Sequence, residues 1–503
     1  MRTLYRAARV RTLGHPPLGE WLLIDGRHVQ RVGVGETPHA DRIVELPGAT
    51  IVPGFVDTHV HLTSIGAGMA NEDVAAARSR GELVAIAAER AAHDTESVLT
   101  LQGFDESRWP DPSLPTLAEL DALTPGPLVI RRTDGHVALA NSAALMMSQV
   151  LDTPGVERDA HGEPTARVVD EANRRLGLWV ASARSTHRIE ELQLLGAGLA
   201  AMRGITSVHE MALPLEFGLR DVEVLLAHRA RLPIHAEVIL GTMDVPKAVE
   251  LGLTSIGGDL PVDGSIGART ASVSVPYVDA GHGTAYYDDD VLQGFFHDGH
   301  EAGLQVGMHA IGDRAIEQVL SAWERIYQGL DSRERRHFRA RRHRIEHFEM
   351  PTPEQVERTA MLGLSVSVQP TFDLTWGHPG QLYAQSLGAE RAHAMNPFRT
   401  MLDRGIVVGV GSDAPVVPMD AWLTVHALEH HHDPSQRLTR PEAIQLHTVG
   451  SARLAHQEEK KGALEPGMHA DFAVYEADPL DADDVRELRS ALTVSLGREV
   501  WLA

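Results

Sequence analysis

Eight short runs of apolar, often β-branched residues, separated by stretches of helical character, constrain this chain more than any other feature. They are Ile51–His59, Gly204–His209, Leu232–Ile239, Leu260–Val262, Leu304–His309, His343–His347, Leu364–Val368 and Ile406–Val410. Helical segments between them include Arg314–Tyr327 and Pro353–Met361, the second opened by Thr352 as N-cap and a first-turn proline. Strand and helix alternating eight times predict an α/β protein with a parallel (β/α)8 TIM-type barrel. The interval between the first two runs is too long for one helix. Residues 65–195 are therefore expected to form an insertion covering the active-site rim. The two ends read differently. Trp21–Ile24 runs into the turn pair Asp25-Gly26, then Val29, Val32 and Val34, while Ala470–Tyr475, Leu492–Leu496 and Val500–Leu502 are strand candidates at the far end. The expected organisation is a small β-sandwich built from 1–50 and 456–503 around a barrel over 51–455.

Composition removes several function classes. A net charge of −23 argues against nucleic acid or an anionic membrane as partner. No run approaches the roughly 18–20 apolar residues of a membrane span. The opening MRTLYRAARVRTLG carries arginines where a signal peptide has its apolar core, so a cytoplasmic location is expected. The expected partner is a small-molecule substrate, with a homodimer left open. Absence of cysteine excludes thiolate metal sites and Cys nucleophiles, and no Gly-X-Ser-X-Gly elbow is present. Among the 28 histidines, His430-His431-His432 before Asp433-Pro434 reads as a solvated loop.

The first run carries the chemistry. Val52–His61 is an apolar strand ending in His-X-His, which puts His59 and His61 on one face, where two imidazoles can grip a divalent cation. His309 and His347 end the fifth and sixth runs, and Asp413 follows the eighth. Any one of them suits an ordinary hydrogen-bonded strand end. Together they form the donor set of a zinc site. A bound ion of this type lowers the pKa of water to about 7, and Asp413 is the candidate base beside it.

Several segments carry a family resemblance: PGFVDTHVHL at 53–62, GFDESRWPDPSLPTLAELDAL at 103–123, RRTDGHVALANSAAL at 131–145, GITSVHEM at 204–211 and DGSIGARTA at 263–271. MHAIGDRAI at 308–316, HRIEHFEM at 343–350, GVGSDAPV at 409–416 and KGALEPGMHADFAVY at 461–475 extend it. The chain is similar to the amidohydrolase superfamily, in its amidohydrolase 3 (YtcJ-like) branch. The resemblance implies a TIM-type barrel with a terminal β-sandwich. It also implies hydrolysis of amide or related carbon–nitrogen bonds with one or two divalent ions, zinc being expected.

By the same resemblance His59 and His61 are first-strand ligands, His309 the fifth and His347 the sixth. Asp413 is the eighth-strand carboxylate that touches metal and moves the proton. His347 binds a second ion or, at a one-ion site, hydrogen-bonds the nucleophile. One position departs from the family. Where relatives carry a lysine whose carboxylated form bridges two metals, this chain has Asp259, and its three lysines (Lys247, Lys460 and Lys461) lie elsewhere. Asp259 as a shorter bridge, a single ion and a weakened site all remain open.

His136 and Arg269 are candidate substrate-binding residues, with a loop-stabilising histidine and a buried ion pair as the alternatives. Asp313 either orients the His309 loop or caps a helix, Glu210 is equally ambiguous, and Trp109 and Trp179 either wall the pocket or fill a core. The expected substrate carries an amide, N-formyl or cyclic amide group. Heterocycle deamination, lactone or ester hydrolysis and a catalytically silent metal-binding relative are the rivals. Gly312 stands where a deaminase usually has Glu.

Overall fold

In the computed structural model, which describes residues 1–70, 74–93, 97–133 and 137–503, eight parallel strands hydrogen-bond in chain order. They are Phe55–Val60, Ile205–Ala212, His235–Leu240, Ser255–Ile256, Gln305–Ala310, Arg344–His347, Ser365–Val368 and Val407–Val410. The eighth strand is sewn to the first beyond its end: Asp413 N donates to His59 O at 2.8 Å and His61 N to Ala414 O at 3.1 Å. The sheet is thereby nearly closed. Every residue of the first two strands is buried, as both faces of a parallel barrel strand require.

The largest departures from the sequence reading are at the first and fourth strands, and glycine explains both. The run at 51–59 is shared between two sheets, because Arg42–Pro53 pairs with Phe472–Tyr475 and the barrel begins only at Phe55. Gly54 makes the crossing, where a Cβ would stand 2.2 Å from Thr206 Oγ1. The fourth strand is Ser255–Ile256 rather than Leu260–Val262. Gly257 and Gly258 follow it with φ of +84° and +54°, a left-handed turn that ends the strand. Leu260–Val262 then runs beside the fifth strand, with Pro261 bridged to His309.

The chain ends join in one seven-stranded sheet, ordered Arg498–Leu502, Leu492–Ser495, Phe472–Tyr475, Arg42–Pro53, Arg2–Arg11, Leu18–Asp25, His28–Gly33. Tyr5, Leu22, Ile51, Phe472 and Val494 are among its core residues. This sheet and the barrel form one compact unit, residues 1–61, 197–212 and 229–503. Leu62–Gly196 with Leu213–His228 forms a second. Taken by itself, the second unit has a five-stranded sheet, ordered Leu99–Phe104, Leu128–Arg132, Val137–Ala140, Pro164–Val169, Val156–Arg158. Alternate side chains serve its two faces: Leu101 and Ile130 enter one core, Val129 and Val168 the other. Trp109 belongs to the first core, its Nε1 donating to Ala77 O at 3.1 Å, and Trp179 packs against the second. Both tryptophans are core residues. Among the described residues no helix is long and apolar enough to cross a membrane.

Candidate metal centre

Four imidazoles from three strands converge, each with one nitrogen anchored. His59 Nδ1 donates to Glu346 Oε2 at 3.0 Å, His61 Nδ1 to Met211 O at 3.1 Å and His347 Nδ1 to Gln369 Oε1 at 2.8 Å. His309 is reversed: its Nε2 faces Gly264 O at 3.4 Å. These partners set the tautomers and leave Nε2 of His59, His61 and His347 and Nδ1 of His309 as lone-pair donors.

All four free nitrogens surround two carboxylates. Asp259 Oδ1 is 3.0 Å from His347 Nε2, 3.1 Å from His309 Nδ1 and 3.6 Å from His59 Nε2, while its Oδ2 is 3.6 Å from His61 Nε2. Asp413 Oδ1 lies 3.2 Å from His61 Nε2 and 3.4 Å from His59 Nε2. Asp259 thus belongs to two donor groups at once, one with His59 and His61 and one with His309 and His347. Among the described residues, His59 Nε2 and Asp413 Oδ1 are buried without a hydrogen-bond partner. Orphaned buried atoms of this kind ask for a ligand, and imidazole with carboxylate suits a divalent ion such as zinc. The residues fit the group. Side chains of His61, His309 and Asp259 keep 12%, 14% and 13% exposure, so the centre is open to solvent on that side.

The backbone supporting these groups is unusual. His347, Phe348 and Asp413 have φ of 69°, 52° and 57°, left-handed values that non-glycine residues adopt where the surroundings impose them. Asp57 does part of the imposing: its Oδ1 accepts from Ser412 N at 2.9 Å and His59 N at 3.2 Å, tying the first strand to the loop of Asp413. At Gly258 a Cβ would meet Ile239 Cγ2 at 2.7 Å, so glycine there lets the backbone carrying Asp259 pass close to the third strand. Burial opposes protonation of His59, yet Asp259 and Asp413 outweigh it and hold the imidazole well above its ordinary value. The centre is built for positive charge.

Sequence reading passed over the residues that hold the ligands. Arg344, fully buried, donates through Nε to Glu346 Oε1 at 2.8 Å and through Nη1 to His209 Nδ1 at 3.1 Å. Burial, and then the Arg344 charge beside it, hold His209 well below its ordinary value, and the contact keeps it away from the ligand set. Asp263 accepts from Ser272 N, Ile311 N and Gly312 N at 2.7–3.0 Å and so fixes the loop after His309. Asp313, the candidate for that task, binds Ser274 instead, and Gly312 is the helix N-cap. Glu349, two residues past His347, is buried with its carboxyl pushed up to about 7 by burial, and accepts from Tyr383 Oη at 2.5 Å. The acidic residues of DGS and HRIEHFEM were the available signal.

Other candidates part from the site. Arg269 is committed to Asp279 (Nε to Oδ1 3.0 Å, Nη2 to Oδ2 3.2 Å), and its Nη1 donates to Gly267 O at 2.8 Å. The guanidinium is thus engaged by an ion pair, but one at the surface within a single loop, with Asp279 59% exposed, and not a buried one. His136 lies outside the described residues. Lys461 is buried, but its Nζ donates to Ser207 Oγ at 3.0 Å, and Lys247 pairs with Glu250. Among the described residues no lysine joins Asp259. The solvated-loop reading of 430–432 holds for His430 alone, since His431 and His432 are buried against Asp373.

Three comparisons bear on this geometry. The Amidohydro_3 model of the amidohydrolase family matches residues 42–501. YtcJ of Bacillus subtilis is 29% identical over 91% of this chain and 90% of its own length. The N-substituted formamide deformylase of Arthrobacter pascens is 24% identical over 96% and 95% respectively. Among solved structures, a metal-dependent hydrolase of Pyrococcus furiosus superposes with a TM-score of 0.80 at 25% identity, covering 96% of this chain and all of that one.

Proposed function

Because this chain belongs to the amidohydrolase family, we propose that it hydrolyses a non-peptide carbon–nitrogen bond of a small molecule, in an amide, N-formyl or cyclic amide group. The observation that carries this reading is the convergence of four anchored imidazoles on Asp259 and Asp413. His59 and His61 with Asp413 would hold one divalent ion and His309 with His347 a second, Asp259 belonging to both groups, and zinc suits the donors. Such ions supply Lewis acidity, ionising water near neutral pH and polarising a carbonyl.

The chain's own residues do the rest. Asp413 takes the proton of the attacking water on the carboxylate oxygen that does not face His59 and His61, and returns it to the departing nitrogen, without which an amine is a poor leaving group. His347, with its Nδ1 proton given to Gln369, presents a lone pair toward Asp259, which favours the ligand role over hydrogen-bond donation. A formamide suits the reading, since one full-length relative carries that name. Deamination is disfavoured because Gly312 has no carboxylate, and a Cβ there would lie 2.0 Å from Ser272 O.

The test is a panel of N-substituted formamides, linear and cyclic amides, amino-heterocycles and lactones, followed by formate, amine and ammonia release. Turnover is expected on an amide or formamide, lost on chelation and restored by zinc. Ammonia from heterocycles alone, or turnover of lactones alone, would overturn the amide reading.

A further inference from the structure

A second set of donors lies outside the barrel centre. Asp373 opens the turn Asp373–Gly377 after the seventh strand, and His431 and His432 follow the helix Ala421–Glu429. The side chains of Asp373 and His431 are fully buried, and that of His432 is 2% exposed. Asp373 Oδ1 is 2.5 Å from His432 Nδ1 and 3.5 Å from His431 Nε2. The opposite ring nitrogens are occupied. His432 Nε2 donates to His393 O at 3.1 Å, and His431 Nδ1 lies within 3.2 Å of both the N–H and the carbonyl of Asp433. Among the described residues His431 Nε2 has no hydrogen-bond partner, and it lies buried 3.5 Å from the Asp373 carboxylate.

We propose that Asp373, His431 and His432 bind a divalent transition-metal ion, zinc by donor type, at a site separate from the barrel centre. Tetrahedral zinc with ligands at about 2.0–2.1 Å sets neighbouring donors about 3.3 Å apart. The His431–Asp373 pair already has that spacing. The His432–Asp373 pair opens by roughly 0.8 Å to reach it. The ion takes the place of the proton on His432 Nδ1, which leaves to solvent, while the Nε2 proton keeps its bond to His393 O. Gly377 leaves the space beside the donors unfilled: a Cβ there would stand 2.4 Å from Asp373 Oδ1 and 3.3 Å from His432 Nδ1. The ion would also fasten the segment carrying Phe372, whose ring stacks on His347 with centroids 6.2 Å apart.

The experiment is zinc content per chain, by mass spectrometry, of full-length wild type, His431→Gln and Gly377→Ala grown with zinc and desalted. Zinc-edge diffraction from wild-type crystals accompanies it. Each variant is expected to hold one zinc fewer than wild type. The wild-type map is expected to show an anomalous peak between His431 Nε2 and Asp373 Oδ1. Gly377→Ala keeps all three donors, and the wild-type map needs no variant, so a misfolded His431→Gln does not blunt the test. Equal zinc in all three proteins, with no peak at that position, would overturn the proposal whatever the barrel centre holds.

Discussion

Asp413→Asn is expected to lower kcat/KM by roughly 10²–10⁴-fold on whichever substrate the panel identifies, the usual contribution of a positioned proton-transfer group. The variant is close to isosteric. Asn also tolerates the left-handed backbone better than most residues, so the φ of 57° at this position is no obstacle to folding. What changes is the charge and basicity of the group, one carboxylate oxygen becoming an amide NH2. In the wild type Asp413 Oδ1 is buried, has no hydrogen-bond donor among the described residues and lies 3.2–3.4 Å from the free nitrogens of His61 and His59. An amide there neither accepts the water proton nor balances cationic charge. Circular dichroism and thermal midpoint should stay near wild type while turnover falls. An Asp413→Asn enzyme within tenfold of wild type would remove Asp413 from proton transfer.

The second large effect comes from a residue that touches no substrate. Glu346→Ala leaves the Arg344 guanidinium in the barrel interior, 1% exposed, still bonded to Thr58 O and His209 Nδ1 but without a counter-charge. Breaking one side of a buried pair costs about 3–5 kcal/mol, far more than the pair contributes relative to apolar residues of equal volume. His59 loses its Nδ1 anchor in the same step, which is expected to weaken zinc binding by about 10–100-fold. The double variant Arg344→Met/Glu346→Leu separates the two effects. Urea unfolding should recover most of the lost stability, whereas zinc titration should not recover affinity, because the anchor is still missing. Full zinc affinity in the double variant would show that Glu346 does not orient His59.

Much of the site was legible because its ligands close strands. His59, His61, His309 and His347 each terminate an apolar run or follow its end directly, and Asp413 follows another, so periodicity alone brought them to one rim. Asp259 could be named from its position before the DGS segment, but not weighed: its reach to both imidazole pairs depends on the turn at Gly257 and Gly258, which also displaced the fourth strand. The anchors were hidden for a different reason. Glu346 binds His59 from 287 residues away and Gln369 binds His347 from 22 away, contacts that no local pattern encodes. The pair His431-His432 was misjudged on the same ground, since Asp373, which engages it, lies 59 residues away, whereas for Arg269 an ion pair was one of the two readings the sequence offered. A polar run beside Asp-Pro reads as solvated until the fold supplies a buried carboxylate and the ring of Phe398 against it.

Diffraction above and below the zinc edge, from crystals of the full chain grown with zinc, tests the barrel centre most directly. Two anomalous peaks are expected there, one against Nε2 of His59 and His61, the other against Nδ1 of His309 and Nε2 of His347, with Asp259 touching both. A map from zinc-supplied protein with no peak against any of those four imidazoles would contradict the metal-dependent chemistry assigned to them.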